Sequence, residues 1–160
     1  MITSVRALLV TASGSVLLMR RTKVGVPIYW VMPGGGIERR DATLEDAVIR
    51  EVREETGAVP SLHRLIHVAD AGAHGRHAIF LALLDGWSLS NATGPEFDDP
   101  ANGYYHLDEY PMTAATFRTV NPRPSSTSAL AADTLEAGGD LFKLPDVRDS
   151  GPLDWGPRGG

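Results

Sequence analysis

Glu51, Glu54 and Glu55 are spaced to work together. Residues three and four apart lie side by side on a helix, so Glu51 neighbours both Glu54 and Glu55. On a helical wheel of Leu44–Thr56, Leu44, Ala47, Val48 and Val52 form one broad apolar stripe. The three carboxylates fall on or beside that stripe. A helix that is merely solvated sets its acids opposite its apolar face. Like charges at these spacings cost a few tenths of a kcal/mol each. They also crowd the C-terminal half, where the helix dipole disfavours anions. Arg50 and Arg53 offset part of this. Hard cations would neutralise the rest, and oxygen ligands of this kind suit Mg²⁺ or Mn²⁺. The bland alternative is a charged helix with Arg–Glu pairs and no metal. The preceding Pro33-Gly34-Gly35-Gly36 weighs against it, because glycines let the backbone approach an oxyanion or offer carbonyls to a metal.

Certain elements must hold this helix in place. Thr43 with Asp46 approximates a capping box, and Gly57 sits where a C′ glycine belongs, so a helix runs from Ala42 or Thr43 to Thr56. Short apolar runs predict strands at Ser4–Val10, Ser15–Arg20, Tyr29–Met32, Leu62–Ala69, His77–Asp85 and Tyr104–Leu107. The glycine run, Thr22–Pro27 and Ser88–Gly103 read as loops. Ser126–Ala137 reads as a second helix, ended by Gly138-Gly139. Interspersed strands and helices give an α/β or α+β class with mixed strand directions. The chain has 160 residues, enough for one domain, assigned to residues 1–143. Residues 144–160 read as a Pro/Gly-rich tail, extended or partly disordered.

Composition narrows the function. A net charge of −5 argues against a nucleic-acid polymer as partner. No apolar run approaches the roughly 20 residues of a membrane helix, and the N-terminus lacks a signal-peptide layout. With no cysteine there is no disulfide, no thiolate zinc site and no thiol nucleophile, which is compatible with the cytoplasm.

Together these residues resemble the Nudix hydrolase family, whose box is G-x5-E-x7-R-E-U-x-E-E-x-G-U. Arg50-Glu51-Val52-Arg53-Glu54-Glu55-Thr56-Gly57-Ala58 matches its second half, with a small Ala58 in the last place. Gly34-Gly35-Gly36-Ile37-Glu38 matches its opening. Counting forward from Gly35, the first Glu position falls on Asp41, with one residue inserted before Arg50. Counting backward from Arg50, it falls on Ala42. We read Asp41 as the stand-in.

The resemblance implies an α/β/α sandwich with a mixed sheet. It implies hydrolysis of a diphosphate linkage by in-line attack of a metal-activated water, usually on a nucleotide derivative. Glu54 and Glu55 would be metal ligands, Glu51 a further ligand or the general base, and Arg50 the orienter of a neighbouring carboxylate. The Gly34 carbonyl would be an additional ligand. Family members often add an acid from a distant loop; Glu96 is the candidate, with Asp98 and Asp99 as rivals. Asn121 resembles an Asn that MutT-type enzymes use on the purine, its other reading being an Asn-Pro turn. Arg76 could meet phosphate, or be a solvated turn charge. Tyr29, Phe97 and Tyr104 are base platforms or core aromatics. Subfamily markers for ADP-ribose, dinucleoside polyphosphates, NADH and coenzyme A are missing, so a MutT-like nucleoside triphosphate is mildly favoured. Two other readings stay open: the same chemistry on a prenyl or sugar diphosphate, and a non-catalytic nucleotide-sensing module. The resemblance also allows a homodimer.

Overall fold

The computed structural model describes residues 1–88 and 103–159. Seven strands form one mixed sheet, β1 (Ile2–Thr11), β2 (Val16–Lys23), β3 (Val26–Val31), β4 (Gly34–Gly36), β5 (Ser61–Asp70), β6 (Arg76–Leu84) and β7 (Tyr104–Tyr110). Strand β1 is buried on both faces along almost its whole length, its apolar residues Val5, Ala7, Leu8, Leu9 and Val10 feeding both sides of the sheet. It runs parallel to β6, and β5 pairs antiparallel to β6.

The sheet splits beside β1. β1 and β2 are paired at Leu9↔Leu17 and Val10↔Val16. Beyond that, β2 takes β3 as its partner from Met19 onward, while β1 takes β4 at Ser4–Arg6. The chain from β3 to β4 therefore crosses from one strand to the other. Strand β7 lies along the other edge of β2.

Alternation sends side chains to two separate cores. Val5, Ala7, Leu9, Leu17 and Met19 pack with Leu44, Ala47, Val48 and Val52 of helix α1 (Leu44–Thr56). Leu8, Val10, Val16 and Leu18 pack on the opposite face with Phe117, Ala131 and Ala132. Those residues belong to α2 (Ala114–Thr119) and α3 (Ser125–Glu136). The result is the expected α/β/α sandwich.

Helix α1 starts and stops as its sequence predicts. The Thr43 side chain accepts the Asp46 N–H at 3.0 Å, and Gly57 closes the helix in the left-handed region at φ 74°. Three expectations are corrected. The glycine run is a strand, because β1 offers it a backbone ladder that needs no side chains. Helix α2 is additional; Thr113 caps it by accepting the Thr116 N–H. The tail does not lie free. Asp146 accepts the Leu65 N–H at 3.1 Å, and Trp155 forms a parallel bridge with Ile2.

Candidate active site

A cavity of about 380 Å³ opens where the sheet splits. Arg6 enters it from β1, Met19 and Arg21 from β2, Tyr29 and Val31 from β3, and Gly34, Gly35 and Gly36 from β4. Glu51, Glu54 and Glu55 line it from α1, with Glu38 beside them. The three acids singled out in the sequence thus share one cavity with the glycine strand.

Each acid is held differently. Glu55 is buried, at 4% exposure, and one of its oxygens accepts the Gly34 N–H at 3.3 Å. Glu51 and Glu54 are half-buried. Glu51 packs directly on Gly35, where an added Cβ would stand 2.6 Å from its carboxyl group. At Gly34, with φ +156°, a Cβ would stand 2.1 Å from the Val5 carbonyl oxygen. Glycine is needed at both positions for close approach, to β1 on one side and to the acidic helix on the other.

Arg50 organises the acids. Its Nε and Nη2 donate to the two Asp41 oxygens at 3.0 and 2.7 Å, a bidentate pair. Nη2 also donates to the Gly36 carbonyl at 3.0 Å, and Nη1 to Glu51 at 2.9 Å. Glu38 and Glu54 lie 3.4 and 3.6 Å from Nη1. The Arg50 hydrogen bonds hold the Asp41 carboxyl below the usual carboxylate range, against the opposing effect of burial. Asp41 in turn raises Arg50 above its ordinary value. Asp41 is buried and Ala42 is exposed, so the structure brings Asp41, and not Ala42, to Arg50.

The donor set suits a hard cation. Mg²⁺ is usually held by one or two carboxylates together with waters and substrate oxygens, rather than by a cage of protein groups. Among the described residues no three His, Cys, Asp or Glu side chains group tightly enough to enclose an ion alone. Carboxylate oxygens facing an open cavity are the donor type that hard divalent cations take.

The other sequence-predicted residues scatter. Asn121, in the left-handed region at φ 49°, lines a separate cavity of about 830 Å³ with Ile28, Tyr29, Trp30, His67 and Arg123. Tyr29 borders both cavities. Arg76 is exposed at the start of β6, opposite Asp70, and lines neither. Glu96, Phe97, Asp98 and Asp99 lie outside the described residues. Tyr104 is exposed on β7.

Sequence reasoning missed Arg6 and Arg21 as cavity residues. A signal was present, Arg6 interrupting the apolar run of β1 and Arg21 standing in the Arg20-Arg21 pair that ends that of β2. Burial lowers Arg6 from its ordinary value, and the carboxylates of Glu55 and Glu51 oppose that effect.

Comparison with known proteins agrees with the fold. The NUDIX domain family profile matches residues 2–123. A nudix hydrolase of Caenorhabditis elegans is 27% identical over 147 residues, covering 89% of this chain and 34% of that protein. An ADP-ribose pyrophosphatase of Methanocaldococcus jannaschii is 33% identical over 102 residues, covering 59% and 60%. The chain thus spans about a third to three fifths of the length of these relatives. Among solved structures, a NUDIX hydrolase from Nitrosomonas europaea superposes with a TM-score of 0.62 at 16% identity, covering 96% and 98% of the two chains. With the profile match extending over most of its length, this chain belongs to the Nudix family.

Proposed function

We propose that this protein is a divalent-metal-dependent hydrolase of a diphosphate linkage in a small molecule, its substrate a nucleotide derivative. One observation carries the reading. Glu51, Glu54 and the buried Glu55 line a single cavity with two guanidinium groups, Arg6 and Arg21. Acids crowded at helical spacing favour a cation among them, and guanidinium groups across the same cavity match phosphate oxygens. A cation–diphosphate pair suits both sides of the cavity.

The chain's own groups divide the work. Glu54, Glu55 and Glu51 would hold the cation, with the Gly34 carbonyl and Glu96 as further ligands. When bound, the cation neutralises phosphate charge and lowers the pKa of a water. Arg50 fixes Glu51 through its 2.9 Å hydrogen bond while remaining anchored to Asp41. Glu51 or Glu54 takes the proton of the attacking water. The new P–O bond forms as the bridging P–O bond breaks, and the departing phosphate leaves with the bridging oxygen. Arg6 and Arg21 steady the charge that develops on the phosphoryl oxygens.

The relatives do not agree on a substrate. One is named for ADP-ribose and another, from mouse, for diphosphoinositol polyphosphate. A MutT-like nucleoside triphosphate is the first to try, since Asn121 lines the larger cavity. Arg76 is the more remote candidate for phosphate contact. No helix among the described residues is long and apolar enough to cross a membrane. Together with the lack of cysteine, a cytoplasmic enzyme is the reading we favour, as a monomer or homodimer.

The test is a phosphate-release screen with Mg²⁺, run with and without added phosphatase and pyrophosphatase. Its panel holds nucleoside di- and triphosphates, 8-oxo-dGTP, ADP-ribose, dinucleoside polyphosphates, sugar nucleotides and prenyl diphosphates. Turnover that disappears in the Glu54→Gln/Glu55→Gln double variant supports the reading. Turnover unchanged in that variant removes the metal-site assignment.

A further inference from the structure

An exposed arginine, Arg123, lines the larger cavity, and cleavage of a diphosphate does not by itself require it. The Arg123 guanidinium stacks over the Tyr29 ring, 4.2 Å from its centroid. The backbone beneath it is fixed. Arg123 N–H donates to the Trp30 carbonyl at 2.8 Å, and Met32 N–H donates to the Arg123 carbonyl at 2.9 Å. Residue 123 thereby adds a single parallel rung beside Val31. Pro122 and Pro124 flank it, and each locks its own φ.

Stacking uses the flat face of a guanidinium and leaves the in-plane N–H donors for other partners. Arg50, Arg118 and Arg148 direct theirs to carboxylates. Arg123 has no carboxylate within 4 Å among the described residues. Asp70, the acid that lines this cavity among the described residues, accepts the Gly72 N–H at 2.9 Å.

Tyr29 joins the two cavities. Arg21 is its cross-strand partner on the carboxylate side, and Arg6 lines that same cavity with both. Arginines therefore stand on both sides of one tyrosine. A substrate whose diphosphate lies at the carboxylates and that extends past Tyr29 brings its far part to Arg123.

We infer that Arg123 is a specificity-determining residue that binds a phosphate carried on the substrate outside the scissile diphosphate. The inference rests on the carboxylate cavity being the diphosphate site. The substrate class is a diphosphate compound with an additional phosphomonoester or a longer phosphate chain. The face of Tyr29 that Arg123 covers is closed to a stacking base. Phosphate matches the guanidinium edge through two parallel N–H···O bonds.

Matched pairs test the contact. NAD and NADP differ by one phosphomonoester, as do dephospho-coenzyme A and coenzyme A. With Mg²⁺, the wild-type kcat/KM favours the phosphorylated member by about tenfold or more, the range for a charge-assisted hydrogen bond. In Arg123→Gln this ratio collapses toward one, through KM rather than kcat. Arg123→Lys restores part of it, because lysine keeps the charge without the fork. A ratio equal in wild type and Arg123→Gln overturns the inference. So does a uniform loss on both members, which would mark Arg123 as support for Tyr29.

A second measurement needs no turnover. The Arg123 Nε–H resonance, assigned by its disappearance in Arg123→Lys, is followed while inorganic phosphate is added without metal. A saturable shift supports the inference, and an unmoved resonance overturns it. Turnover of the unphosphorylated members with an unmoved resonance removes Arg123 and leaves the hydrolase. A shifted resonance without turnover of either pair, or of the wider panel, leaves the phosphate site and removes the hydrolase.

Discussion

Arg50 and Asp41 are where one substitution says most about the site. Their side chains are only 13% and 4% exposed, and they share two hydrogen bonds. Asp41→Ala leaves Arg50 a buried charge without its bidentate partner. A loss of about 3 kcal/mol in unfolding free energy is expected, in the range for breaking a buried pair. Denaturant titration reads it. Glutamate introduced at the exposed Ala42 should not rescue this variant; a rescue would return the box position to Ala42. The pair also sets an acid limit. Asp41 titrates below its unfolded value, so its contribution is complete above about pH 4 and is lost as pH falls through the folded value. The acidic residues were legible before any fold was known, because helical spacing alone puts them on one face. Where Arg6, Arg21 and Arg123 would sit was not, although Arg6 visibly breaks an apolar run, since they come from strands and a loop far apart in sequence. Only the split sheet brings the first two to the acids.

At the scale of elements, β4 carries the sharpest expectation. Gly35→Ala places a methyl group 2.6 Å from the Glu51 carboxyl. The flexible carboxylate can move, so the fold should survive while turnover falls by about tenfold or more as a ligand or base is displaced. Gly34→Ala meets the backbone of β1 at 2.1 Å, which cannot yield, and should lower the melting temperature as well. Equal melting temperatures for both variants would contradict this. Helix α1 was readable from its cap, its period and its closing glycine. Strand β4 was not, because three glycines have no side-chain pattern, and a strand exists there only because β1 supplies the partner. Where β1 meets β6, the Ser4 hydroxyl hydrogen-bonds the His77 ring at Nδ1. Burial, with Arg6, His74 and Arg158 nearby, lowers His77 from 6.5 to about 4. The unfolded chain then binds the proton first. Stability should fall as pH drops from about 6.5 toward 4, and this slope should flatten in His77→Asn.

For the whole molecule the open matter is the last stretch of chain, which composition alone marked as a tail. Proline and glycine there do not mean disorder, because specific partners compensate the missing periodicity. Arg148 pairs with Glu45 in the first turn of α1 at 2.8 Å and lies over the Phe80 ring. Asp146 caps the turn that contains Arg148 and holds the backbone of β5. Ile2 N–H donates to the Asp154 carbonyl, and Gly156 N–H donates to the Ile2 carbonyl, both at 2.9 Å. Val147, Leu153 and Trp155 pack on the core that α1 covers. The segment thus ties α1, β1 and β5 together on the side of the sheet that bears the acids. Ending the chain after Leu144 removes those contacts without touching a cavity-lining acid. Burial of these partly exposed apolar side chains suggests a loss of about 2–4 kcal/mol. The truncated protein should therefore melt earlier. Metal titration at a temperature where it is folded should still give the wild-type affinity if the segment acts only as a clasp. Weaker metal binding at that temperature would show instead that the clasp also sets the position of α1.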